Sequence, residues 1–200
     1  MGAATALPTA AELVGFHDRM VPRPAAEAAE GSALWAAIAE NHRQNCLLWE
    51  QEDLARRRTV PPAEIAGNKR AIDQHNQKRN DAIERVDEAL LGLLQQVRTD
   101  AGARLSSETP GAMIDRLSIL ALKIYHMRLQ TRRSDAGREH VESCEAKLAR
   151  LIEQRTDLAG CLQRLLDEAA CGESYFKVYR QFKMYNEPNL NPAIYGERRG

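Results

Sequence analysis

Charge of one sign is missing from this chain. Its 28 basic and 28 acidic residues cancel, so it lacks the basic surplus that non-specific nucleic-acid binding requires, and no specific nucleic acid is expected as a partner. Long apolar runs are missing too. None approaches the roughly 18–20 residues of a membrane-spanning helix, which argues against membrane insertion. The start, Met1-Gly2-Ala3-Ala4-Thr5-Ala6, has neither the basic opening nor the apolar core of a secretory signal, and Ala6 breaks the myristoylation pattern. Four cysteines, Cys46, Cys144, Cys161 and Cys171, form no CxxC pair. They are expected as reduced thiols of a cytoplasmic protein. Also absent are ExxH pairs, a nucleophile elbow, a phosphate-binding glycine loop and HExxH, so no metal site is assigned and no cofactor can be named. What remains, 44% hydrophobic and 28% charged residues, is globular composition.

Apolar residues recur at three- and four-residue steps nearly everywhere, with Gly and Pro gathered at a few breaks. The pattern predicts a short helix over 9–20 and long helices over about 32–58, 62–98, 110–130 and 136–170. The last ends at Gly172 as a C-terminal cap. Thr109-Pro110 opens the third long helix as N-cap and first helical position. The expected architecture is all-α: an antiparallel up-down four-helix bundle of long helices, a short N-terminal helix, and an aromatic and basic C-terminal segment docked on it. A coiled-coil homodimer using the same seams competes with it. The organisation is one domain, with residues 1–31 a short helix and linker, 32–172 the bundle, and 173–200 a docking segment and tail.

Polar residues interrupt two of the apolar seams. In the second long helix they are Lys69, Asn76 and Arg79; in the first they are His42, Asn45, Glu52 and Arg56. If these helices fold back about 59–62, facing residues have numbers summing to about 121. That sets Asn45 near Asn76, Glu52 near Lys69 and His42 near Arg79. Extending the register to the third long helix, with a sum near 208, brings His126 level with Ala82 and near His42. Burying such groups unpaired costs several kcal/mol each. They must therefore form a closed hydrogen-bonded network that fixes register, or line a cavity holding water or a ligand. Arg56, Lys69, Arg70 and Arg79, with Glu52, Asp53, Asp73, Asp81 and the amides Asn41, Asn45, Asn76, Gln77 and Asn80, suit a phosphorylated or sugar-like ligand better than an apolar one.

Other spacings are less informative. His42, His126 and Cys144 could share a level and hold a transition metal, but a buried histidine with a satisfied partner is commoner. The pairs Glu50–Asp53 and Glu84–Asp87 resemble a magnesium cluster, yet the register separates them by roughly 24 Å. Glu108-Thr109-Pro110-Gly111-Ala112, with Asp115 and Arg116 one turn on, offers helix N-terminal N–H groups to a phosphate; plain capping is the simpler alternative. Six of the ten aromatic residues fall in 175–195, interleaved with Lys177, Arg180 and Lys183. The set at 175, 178, 179, 182 and 185 is expected to dock on the bundle, its basic residues closing a site near Thr109.

Four strings, NHRQNCLLWEQEDLARR (41–57), KRAIDQHNQKRNDAIERVDE (69–88), ETPGAMIDRLSILALKIYHM (108–127) and YRQFKMYNEPNLNP (179–192), resemble the bacterial domain-of-unknown-function family 4254 over about residues 30–195. The resemblance implies a helical protein without established activity, near glycosyltransferases of envelope polysaccharide assembly. Carried over, the family's polar positions fall on His42, Asn45, Glu52, Asp53, Arg56, Lys69, Arg70, Asp73, Asn76, Arg79, Asn80 and Asp81. They continue at Glu108, Thr109, Pro110, Gly111, Asp115, Arg116, Lys123, Tyr125 and His126, then Arg180, Lys183, Tyr185 and Asn186. Two functions fit. One is a bundle whose polar pocket binds a phosphorylated or sugar-nucleotide ligand, with His42 or Glu52 as proton-transfer groups and Lys69, Arg79 and Arg116 balancing phosphate charge. The other is a non-catalytic partner that docks a biosynthetic glycosyltransferase or forms a homo-oligomer.

Overall fold

The computed structural model describes residues 7–21, 32–182, 184 and 187–197. In chain order the elements are α1 (Ala10–Met20), α2 (Ala33–Leu54), α3 (Pro62–Leu94), β1 (Arg104–Leu105), α4 (Pro110–Thr131), α5 (Arg138–Cys171), β2 (Ser174–Tyr175) and α6 (Pro192–Glu197). The protein is thus mostly helical, as the periodicity predicts. Local chemistry sets several ends. Thr9 and Glu12 form a reciprocal capping box at α1, Thr109 accepts the Ala112 N–H at α4, and Gly172 closes α5 at φ 83°. A side chain at Gly172 would also run into the Arg98 carbonyl. Both α2 and α3 stop four residues short of their expected ends. After α2 come three consecutive exposed arginines, Arg56–Arg58, with no apolar face to bury.

Segment 95–109 is not a simple turn. It runs across to pair β1 with β2 in parallel, Arg104 opposite Ser174 and Leu105 opposite Tyr175. The Asp100 N–H bonds the Gly172 carbonyl at 3.0 Å. This detour corrects the α3–α4 register. Arg79 meets Asp115 and Asp87 meets Gly111, so facing numbers sum to 194–198 rather than 208. The last two turns of α3 overhang the start of α4. The α2–α3 register is close to expectation: Gln51 faces Asn68, Gln44 faces His75, and Glu52 faces Lys69.

Half of α4 is buried, 11 of its 22 residues, and it packs most extensively on α5 and also on α1, α2 and α3. The main core forms around it from Leu13, Ile38, Val86, Leu90, Ile114, Leu117, Leu162 and Leu166, each at most 1% exposed. By contrast α5 has extended contacts with α4 and α1 but none with α2 or α3. Open space therefore borders α4 on that side. The C-terminal segment departs from expectation. Phe176 is its buried anchor, whereas Tyr179 and Phe182 are 62% and 88% exposed. The alternation of aromatic and basic residues could not distinguish these cases. Residue 185 of the docking set lies outside the described residues, as do 183 and 186 beside it.

Candidate functional site

The polar interruptions converge on one carboxylate. Asp115, on the buried face of α4, accepts hydrogen bonds at Oδ1 from Asn41 Nδ2 (2.8 Å), Asn45 Nδ2 (2.9 Å) and Arg79 Nε (2.9 Å). Its Oδ2 accepts from Arg79 Nη2 at 2.9 Å. Asn45 also donates to Ser118 Oγ at 3.0 Å, and Ser118 Oγ lies 2.8 Å from His42 Nδ1. Three helices meet here because each turns polar residues into its apolar seam at the same height: Asn41, His42 and Asn45 from α2, Arg79 from α3, and Asp115 and Ser118 from α4. The side-on Arg–carboxylate pair is the strong, geometrically fixed form of such a bond. It leaves Nη1 of Arg79 near Asn76 Oδ1, at 3.3 Å.

Outside this closed network the same residues border open space. A cleft of about 420 Å³ is walled by Asn45, Asn76 and Arg79, by Glu52, Asp53 and Arg56, and by the apolar Leu48, Trp49, Ile119 and Leu122. Glu52 is shared between Arg56, at 2.6 Å, and the exposed Lys69, at 3.8 Å. A second cleft, of about 650 Å³, adjoins the first across Trp49 and Asp53, between α2, α4 and α5. Its wall is the ring pair Trp49–His126, stacked nearly parallel at 4.4 Å. Burial lowers the His126 pKa, against the opposing charge of Asp53.

A closed network and an open cleft lie side by side, at different depths. Asn41, His42, Asn45, Asp115 and Ser118 are the buried network. Asn76, Arg79, Glu52, Asp53 and Arg56 form its solvent-facing continuation. Three expectations need correction. His42 is 2% exposed and lines neither cleft. Burial pushes its pKa down to about 4, its ring stacks on His17 at 5.0 Å, and its Nε2 faces Cys46 Sγ at 3.7 Å. It is a neutral packing residue without access to a ligand. Burial likewise pushes the Cys46 thiol up to about 12. His126 lies two turns from His42, opposite Trp49, because of the register shift. Cys144 sits against His140 instead, so the three potential metal ligands do not meet. Among the described residues no group of three His, Cys, Asp or Glu side chains is placed to hold a metal ion.

The N-terminus of α4 is filled from within. Gly111 N–H donates to Asp87 Oδ1 at 2.6 Å and Ala112 N–H to Thr109. A cleft of about 340 Å³ does lie there, bordered by Asn80, Thr109 and Tyr179, but its charged lining is Glu84, Asp87 and Glu108. Arg180, expected to close a phosphate site, bonds Glu84 and Glu88 instead, at 2.7 and 2.5 Å. An anion is therefore disfavoured at Thr109 and Gly111. Arg116 pairs with Glu108 and borders a further groove between α4 and α5, which shares Lys123 and Gln154 with the second cleft. Asp73 is exposed and lines neither cleft along α4. Lys183 lies outside the described residues. Sequence reasoning missed Ser118 and Trp49. It also left out Lys147 and Arg150, and named Lys123 only through the family resemblance; all three line the second cleft.

Fold and clefts together define a helical protein with a buried carboxylate network opening onto a polar groove. The chain belongs to the family described as Protein of unknown function (DUF4254), whose model matches residues 35–178. The network and both clefts fall within that stretch, whereas the 179–192 string lies beyond it. No curated protein and no solved structure matches the chain. Among the described residues no helix is long and apolar enough to cross a membrane.

Proposed function

We propose that this protein is an antiparallel, up-down helical bundle that binds a phosphorylated, sugar-like ligand in the cleft beside Arg79. One observation carries the reading: buried Asp115 holds the Arg79 guanidinium side-on at the wall of a cleft that also presents Asn45, Asn76, Glu52 and Asp53. A fixed guanidinium recognises phosphate oxygens. Amides and carboxylates recognise hydroxyls, and the apolar Leu48 and Ile119 face suits a sugar ring. Any proton transfer would fall to Glu52, which borders the cleft while His42 does not. Helix registers support the bundle, since α3 runs against both α2 and α4. Free thiols, two of them exposed, support a cytoplasmic setting. Envelope polysaccharide assembly, the setting the family resemblance implies, consumes ligands of this class.

Calorimetric titration with glucose 1-phosphate and a set of nucleoside-diphosphate sugars tests the proposal. Binding that weakens at least tenfold in Arg79→Lys is expected, because a lysine cannot keep the planar fork. Absence of binding across the set overturns it. A second reading, self-association, is favoured by the exposed Tyr179, Phe182 and Met184. Sedimentation equilibrium of the protein and of a Phe182→Ser variant separates the two. A dimer lost in the variant supports self-association, and a monomer in both removes it.

A further inference from the structure

Of the four lysines on the described helices, Lys69 and Lys78 sit near an acid, and two do not. Lys123 and Lys147 have no ion-pair partner among the described residues, and no Asp or Glu stands three or four positions away from either in the chain. Both line the 650 Å³ cleft beside Trp49 and His126. Arg150 lines it too, and is tied only loosely to Glu153, at 3.9 Å on its own helix. Asp53 is the one carboxylate among the residues lining this cleft. Like charges held together in a concave, partly apolar space repel one another unless an anion enters. The neighbouring cleft is different, its Arg79 and Arg56 being already matched to Asp115 and Glu52.

We infer that Lys123, Lys147 and Arg150 form a diphosphate subsite, so that the ligand of the groove is a nucleoside-diphosphate sugar. The sugar lies against Asn76 with the phosphate it carries in reach of Arg79, and the nucleoside lies against the Trp49–His126 wall. This rests on the proposed sugar-phosphate reading and narrows it. Three features agree. Lys123 and Lys147, unpaired, stand with Arg150 around a cleft whose one lining carboxylate is Asp53, which gives it the positive lining that a diphosphate diester requires. Lysines act as rotatable point charges that follow a flexible phosphate chain, while the fixed guanidinium of Arg79 suits a single defined position. The two clefts extend along α4 from Ile119 to Gln130, roughly 16 Å at 1.5 Å per residue. A sugar monophosphate is too short to reach both ends. Flat aromatic surface beside the cations suits a base.

The test titrates the protein, a Lys123→Ala/Lys147→Ala variant and an Asn76→Ala variant with uridine diphosphate, guanosine diphosphate, their glucose esters and glucose 1-phosphate. Both lysines are exposed, so the double variant keeps its fold, which circular dichroism checks. The expected result is at least tenfold weaker binding of a diphosphate and its glucose ester in the lysine variant. Glucose 1-phosphate should change less than twofold there, and Asn76→Ala should weaken only the glucose-bearing probes. If glucose esters bind the parent protein and the lysine variant equally, the diphosphate subsite is wrong while the sugar-phosphate reading stands. Binding of glucose 1-phosphate alone would likewise remove the subsite and leave that reading in place. Absence of binding by every probe overturns both.

Discussion

Asp115 grips Arg79 through both oxygens, Nε to Oδ1 and Nη2 to Oδ2, each at 2.9 Å. The carboxylate is 4% exposed and the guanidinium side chain 27%, so the pair joins a buried partner to one facing the cleft. Two asparagines of α2 donate to the same Oδ1. Four donated hydrogen bonds satisfy the acceptor capacity of this buried carboxylate, which would be costly to leave unpaired at this depth. The same bonds tie α2, α3 and α4 together at one height.

Asp115→Asn replaces an all-acceptor group by one whose amide faces the donors of Arg79. Breaking a buried pair costs about 3–5 kcal/mol. Arg79 keeps some access to water, so a loss of about 3 kcal/mol is expected in urea unfolding. A loss below about 1 kcal/mol would mean that apolar packing alone holds this level.

Gly111 is needed for closeness rather than for a special backbone angle. A Cβ there would lie 2.6 Å from the Ile83 carbonyl and 2.8 Å from Asp87 Oδ1. Gly111→Ala should therefore destabilise by about 1–3 kcal/mol and separate α4 from α3. Gly67 and Gly92 sit inside α3 with open space around the same position. Alanine at either should stabilise by up to about 1 kcal/mol. The opposite signs make one thermal-denaturation series decisive.

How much of this is legible in the sequence depends on connection length. Between α2 and α3 only residues 55–61 intervene, and the facing of Glu52 with Lys69 and of Asn45 with the Asn76 level follows from numbering alone. Fifteen residues join α3 to α4. Their pairing with β2 is a tertiary event that no local pattern announces, so the levels of His126 and Asp115 could not be placed. Ser118 looks like any small residue on a buried face until His42 and Asn45 are seen to need it. Lys123 and Lys147 are a different matter: the absence of acids three and four positions away is visible in the sequence and marks them out from bases such as Arg43 and Arg138, which pair within their own helices.

His17 is fully buried, and neither ring nitrogen has a hydrogen-bond partner. Burial above all, with the nearby Arg155 charge adding to it, holds its pKa well below the ordinary histidine value. The unfolded chain takes up a proton below about pH 6.5, and the folded protein does not. Stability from the neutral ring is therefore present above that pH and is lost as pH falls. For His42 the loss continues down to its folded value of about 4. Because an unpaired buried polar group costs about 1–3 kcal/mol, His17→Leu should be more stable than the parent at pH 7.5. Its advantage should widen at pH 5. An advantage that stays constant between the two pH values would contradict the neutral assignment.

Asp87 shows the reverse sign. Its pKa is pushed up to about 6, chiefly by burial, despite bonds from Thr109 and the Gly111 N–H. Between about pH 4 and pH 6 the folded protein holds a proton that the unfolded chain has released, so stability falls as pH rises through that window and is level above it. Two pH units correspond to about 2–3 kcal/mol. Asn at this position can still accept the Gly111 N–H through Oδ1, and it carries no charge to desolvate. Asp87→Asn should therefore match the parent near pH 4 and exceed it by about 2 kcal/mol at pH 7.5, as read by urea unfolding at the two values. The competing force is the positive N-terminal end of α4, which favours an anion in this place. If Asp87→Asn proves less stable at pH 7.5, that attraction outweighs the cost of burial, and Asp87 is an ionised cap.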